Sequence, residues 1–108
     1  MGENRRIVVI STVDSEEKAL ELARELVARR AAACVNLLGG VRSVYRWRGE
    51  VRDEVEILLL IKTRSDRFGT VAEIIEDISG YDCPEAIALT MDEGSESYLN
   101  WIDSCLDG

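Results

Sequence analysis

The chain has 108 residues, 13 basic and 21 acidic, and a formal net charge of −8. That length accommodates one domain, spanning 1–108, and an apolar share of 46% belongs to a folded chain and not a disordered one. It contains no histidine, no apolar run of membrane-spanning length and no basic excess, which excludes imidazole catalysis, imidazole metal sites, a transmembrane helix and a phosphate-backbone binder.

The opening Met1-Gly2-Glu3-Asn4-Arg5-Arg6 is polar and enters an apolar run too short for a signal-peptide core. Within that run, Ile7-Val8-Val9-Ile10 is β-branched and predicts a buried first strand. Asp14, with Glu17 three residues on, predicts a capping box that opens a helix over about 15 to 31. Leu20, Ala23, Leu26, Val27 and Ala31 form its expected apolar face. A strand is expected from about 33 to 47, interrupted at Gly39-Gly40 by a bulge or bend. Val41, Ser43, Tyr45 and Trp47 alternate onto one face, and Arg42, Val44 and Arg46 onto the other. Arg48-Gly49-Glu50 reads as a three-residue turn into a second long strand, 51–63. That register sets Trp47 opposite Val51 and Arg42 opposite Glu56. Ser65 is the expected cap of a second helix with Phe68, Val71, Ala72, Ile75 and Ile78 on one face, ending at Ser79-Gly80. A strand over 85–90 and a last helix capped by Ser95 complete the chain.

The order is βαββαβ plus a terminal helix. With right-handed crossovers it predicts an α+β, ferredoxin-like antiparallel sheet with an extended central hairpin and a C-terminal helix. Each central strand would span roughly 40–50 Å at about 3.3 Å per residue. A domain of this size is only roughly 35 Å across, so the hairpin must project or bend. A projecting ribbon exposes Val41, Val44, Tyr45, Trp47 and Val51, and an isolated two-stranded ribbon is weak in water. Both problems vanish if the ribbon packs on another copy, so an oligomer is expected.

Charge is unevenly spread. Residues 68–108 hold ten acids and no base, a solvated acidic face or a surface for cations or a basic partner. Arginine outnumbers lysine 11 to 2. Arg42, Arg46, Arg48 and Arg52 with Glu50, Glu54 and Glu56 predict an ion-pair ladder on the hairpin, and with it high thermal stability. The three cysteines, Cys34, Cys83 and Cys105, fit neither a disulfide framework nor a zinc spacing.

Five motifs in register resemble the CutA family of divalent-cation tolerance proteins from about residue 7 to residue 103. They are Ala32-Ala33-Cys34-Val35-Asn36, Ser43-Val44-Tyr45-Arg46-Trp47-Arg48-Gly49, Leu60-Ile61-Lys62-Thr63-Arg64, Tyr81-Asp82-Cys83-Pro84-Glu85 and Tyr98-Leu99-Asn100-Trp101-Ile102. The resemblance implies a ferredoxin-like fold, a homotrimer with strands paired between subunits, and a cytoplasmic protein linked to tolerance of copper or another divalent cation. Similarity to PII-type trimers implies a ligand-sensing, signalling or scaffold role without a chemical step. Positions proposed as copper ligands in some members fall here at Ser11, Ile78 and Ser79, none a soft or borderline metal ligand.

The candidate site residues rest on chemistry and motif position. Tyr45, Lys62, Tyr81 and Glu85 combine aromatic walls with polar groups, as a small-ligand cleft requires. Lys62 and Glu85 are potential ion-pair partners. Cys83 is the thiol best placed for a soft metal, whereas Cys34 and Cys105 read as packing residues. An acylphosphatase-like enzyme is disfavoured because Ser11-Thr12-Val13-Asp14-Ser15 lacks glycine and carries an acid. An RNA-recognition module is disfavoured because 55–63 holds no aromatic residue. The expected partners are therefore further copies of the chain and a metal ion or small ligand, with no nucleic acid and no membrane. The alternative is a small-molecule-sensing or purely structural trimeric scaffold without metal binding.

Overall fold

Arg6–Val13 forms β1, the central strand from which the architecture is built; the computed structural model describes residues 4–108. The expectation for the polar opening falls partly on Met1, Gly2 and Glu3, which lie outside the described residues. The remaining elements are α1 (Glu16–Ala28), β2 (Cys34–Trp47), β3 (Glu50–Arg64), α2 (Phe68–Ser79), β4 (Ile87–Thr90) and α3 (Glu96–Asp107). The strands lie in the order β2-β3-β1-β4, and every neighbour is antiparallel. This is the expected ferredoxin-like α+β sheet.

Alternation divides the sheet into two unlike faces. Val9 and Ile61 pair across β1 and β3 on the covered face, fully buried with Leu59 against Leu22 and Leu26 of α1 and Val71, Ile74 and Ile75 of α2. The other face carries Ile10, Leu58 and Leu60, with Leu38, Ile87 and Leu89 exposed. Covering it at one end is α3, which buries Ile102 and Leu106 beside Ala33. An arginine clamp fastens this helix. Arg64, almost buried, pairs with Asp107 at 2.8 Å, Asp66 at 2.8 Å and Asp103 at 3.3 Å. Arg6 adds a 2.6 Å contact to Asp103. Hydrogen bonds from Arg64 hold Asp66 and Asp107 below the ordinary carboxylate range, and those from Arg6 and Arg64 do so for Asp103.

Local chemistry corrects several expectations. Ser15, not Asp14, caps α1: its Oγ accepts from the Lys18 N–H, leaving Asp14 to pair with the Lys18 ammonium at 3.4 Å. The buried stripe of α1 is Ala19, Leu22 and Leu26, and Leu20 and Val27 point to solvent. Aliphatic residues occupy both sides of α1, so helical spacing alone does not single out the side that meets the sheet. The helix ends at Ala28, and Ala31 is buried beyond it. Ser65 does not cap α2 either. Its N–H and Oγ bond Arg5, extending the β1–β3 ladder past Arg6–Arg64, and Arg67 takes the cap position without a side-chain bond. Ser95 occupies the α3 cap position, also without a side-chain bond. The last strand begins at Ile87 and not 85.

The hairpin turn also differs. Arg48 and Gly49 both have positive φ, 51° and 82°, which makes a two-residue turn of the type whose twist matches the flanking strands. Trp47 therefore faces Glu50, and Arg42 faces Val55. The Gly39-Gly40 bulge is present, with one extra residue between the Leu38–Leu58 and Val41–Glu56 pairs. β2 continues through it, and the longest dimension of the chain reaches 44 Å. Beyond the helices Val44, Val51 and Val55 are each 65% exposed. Tyr45 is exposed as expected, but Trp47 is half-buried, with the Arg48 guanidinium 5.2 Å from its ring centroid.

Candidate ligand cavity

Three segments meet at the base of the hairpin: the β2–β3 ribbon, the end of β1, and the loop after α2. Gly80 turns the chain out of α2 in the left-handed conformation, φ 79°. A side chain there would also meet the Lys18 ammonium, 2.7 Å from the position of a Cβ. Lys18 donates to the Ser79 carbonyl, and the Tyr81 N–H donates to the Ser79 Oγ. These contacts set Tyr81 across the end of the sheet. At the tip, Asp82 pairs with Arg48 at 3.1 Å, an exposed contact that contributes little stability but links loop to hairpin.

The space between them is a half-open cavity of about 730 Å³, within the usual range for small-molecule sites. Tyr45, Tyr81, Cys83 and Glu85, four of the residues singled out from sequence, all line it. Lys62 does not. It lies on the open sheet face at the α3 end, its ammonium 5.8 Å from the Tyr98 ring centroid. No ion pair joins it to Glu85 among the described residues.

Sequence reasoning missed Glu54 and Glu56 as site residues. The two-residue turn puts Glu54 opposite Ser43 and Glu56 opposite Val41, so both carboxylates share a face with Tyr45 and Trp47. The Tyr45 hydroxyl donates to Glu54 and the Tyr81 hydroxyl donates to Glu56, each at 2.5 Å. Glu56 is only 6% exposed. Burial, then the bond to Glu56, drives the Tyr81 phenol well above its ordinary range. The bond to Glu54 raises Tyr45. Burial and the neighbouring Glu56 charge raise the Glu85 carboxyl. The signal that could have found both glutamates is the Arg-Gly pair read as a two-residue turn.

The residues do not form a metal centre within one chain. Cys83 is exposed, and its neighbour Asp82 is taken by Arg48. Among the described residues no group of three or more Cys, Asp or Glu side chains is placed to hold an ion. Of the positions matching proposed copper ligands, Ser11 and Ser79 are fully buried and Ile78 packs against the core.

The family model described as CutA1 divalent ion tolerance protein matches residues 7–105. A divalent-cation tolerance protein CutA from Thermus thermophilus is 45% identical over 95 residues, covering 88% of this chain and 92% of that protein. The chloroplastic Protein CutA of Arabidopsis thaliana is 43% identical over 96 residues, which are 89% of this chain but 53% of the longer plant protein. Among solved structures, the Thermus thermophilus protein superposes with a TM-score of 0.88 at 44% identity, covering 90% of this chain and 94% of that one. CutA from Xylella fastidiosa gives a TM-score of 0.92 at 36% identity, covering 95% and 99%. With the family match reaching from β1 through the long hairpin into α3, the chain belongs to the CutA1 divalent ion tolerance family.

Proposed function

We propose that the protein is a homotrimer that contributes to tolerance of copper or another divalent cation as a ligand-binding, signalling-type protein, without catalytic turnover. The observation that carries this reading is the unpartnered apolar surface of the hairpin and open sheet face. Val44, Val51 and Val55 on the ribbon and Leu38, Ile87 and Leu89 on the sheet are all exposed in the single chain. Exposed apolar groups on this scale mark an interaction surface, and bare edge strands such as β2 and β4 invite pairing. Association of copies would bury these groups and brace the ribbon that walls the cavity. What supports a small ligand over a directly captured ion is the cavity volume and the lack of three converging donors among the described residues.

Native mass spectrometry of the reduced protein, alone and with copper(I), copper(II) or zinc, tests both parts. Three chains per particle with no retained stoichiometric metal is the expected result. A monomer would overturn the assembly. Whole-number copper per trimer would move the function to direct binding, with Cys83 from several subunits as the first ligand to test.

A further inference from the structure

We infer that the cavity takes a small organic cation, an amine or guanidinium carried on a short apolar body. The inference rests on reading the cavity as a ligand site. Charge is its first support. Five acids line the space; Asp14 pairs with Lys18, Asp82 with Arg48 and Glu54 with Arg52, which leaves Glu56 and Glu85 without a cation among the described residues. Arg52 is already shared, 3.7 Å from Glu50 and 3.8 Å from Glu54.

The burial of Glu56 is the second support. This residue is more than nine-tenths buried, yet no cation pairs with it among the described residues. Its Oε2 accepts the Tyr81 hydroxyl, and its Oε1 has no hydrogen bond from the described residues at the cavity wall. A buried carboxylate without a countercharge is costly, and one partner that brings a positive charge and N–H donors removes the cost. Burial first, and then the Glu56 charge, pushes the neighbouring Glu85 carboxyl up.

Shape and wall chemistry select an organic cation over a metal ion. A bare ion needs three or more donors converging at about 2–2.5 Å, and no such group exists among the described residues. The volume of about 730 Å³ suits a molecule of several heavy atoms. Tyr45, Trp47 and Tyr81 supply aromatic walls, which favour cationic groups through the ring quadrupole. With both tyrosine hydroxyls donating to glutamates, the carboxylates are held in place for an incoming donor.

The test is calorimetric titration of the full chain with agmatine, using adipate as the anionic counterpart of similar length. Agmatine is expected to bind, adipate not. Glu56→Gln should weaken agmatine about tenfold or more, since it removes a charge-assisted contact. The isosteric amide can still accept from Tyr81. Glu85→Gln should weaken agmatine less and serves as the second variant if Glu56→Gln fails to fold. Adipate binding that depends on Arg52, with no agmatine binding, overturns the cation and leaves the ligand site standing. An intact trimer that binds neither probe also overturns it. Failure to assemble at all would instead remove the reading on which the inference rests.

Discussion

The two halves of the central strands make opposite use of one sequence pattern. Near α1 and α2, β3 puts Leu59 and Ile61 at 0% exposure. Past the bulge the same strand puts Val51 and Val55 at 65%. Both halves alternate, and both carry aliphatic side chains. What differs is the layer on top: two helices over one half and, among the described residues, none over the other. Burial is therefore a property of the neighbour and not of the strand. The covered half stabilises the chain by itself, and the bare half walls the cavity and, in the proposed assembly, supplies the surface for association.

Breaking the bare half should have the largest consequence for assembly. Val55→Asp is expected to dissociate the oligomer, read as a fall to one chain per particle by native mass spectrometry, while far-UV circular dichroism keeps its shape. A variant that stays assembled would show that the ribbon is not in the interface. Leu59→Ala strikes the covered half instead. It should cost about 3 kcal/mol in urea unfolding at fixed protein concentration, because the space under α1 and α2 cannot fully collapse. Subunit count should not change.

Arg64→Met releases α3 from the covered end of the open face and should cost about 2 kcal/mol near neutral pH. Asp66, Asp103 and Asp107 have folded pKa values below their ordinary 3.8, so their contribution is present above that pH. It is lost as pH falls through the lower folded values, and the gap between variant and wild type should narrow there. An unchanged gap in acid would detach the clamp from those carboxylates. The smallest effect belongs to the cavity. The Glu85 pKa is raised in the folded chain, so ionising it above its ordinary 4.5 costs stability. Glu85→Gln should raise the midpoint by about 2 °C at neutral pH, and the gain should disappear below pH 4.5. A lowered midpoint at neutral pH would mean that Glu85 has a cationic partner in the assembled protein.

The expected arginine ladder illustrates how far side-chain types can be read without register. Three of its four arginines pair, two of them with other partners, and Arg46 has no ion pair among the described residues. Arg42 forks onto Asp53 at 2.8 and 2.9 Å, one residue-pair diagonal from Val55, and not onto Glu56. Arg48 leaves the hairpin for Asp82. Only Arg52 bonds within the expected set, to Glu50 and Glu54. A slip of one residue exchanges the faces of a strand, and a turn one residue shorter than expected supplied that slip. It freed Glu56 from Arg42 and delivered it to Tyr81.

Sequence by itself determined the element order, the break at Gly39-Gly40, the end of α2 at Gly80 and the length of the hairpin. Each comes from local rules: period, glycine conformational freedom, and rise per residue. The five motifs determined the family, because their order and spacing survive without any contact being known. Motif position and side-chain chemistry also picked out Tyr45, Tyr81, Cys83 and Glu85 as site residues. Tertiary structure alone decided that these four line one cavity and that Lys62, 17 positions from Tyr45 in the chain, lies on the open sheet face at the α3 end. It alone brought Glu54 and Glu56 to the cavity wall. The reason is that strand faces are set by pairing register and cavities by segments distant in sequence. Neither is encoded in the composition of a single strand.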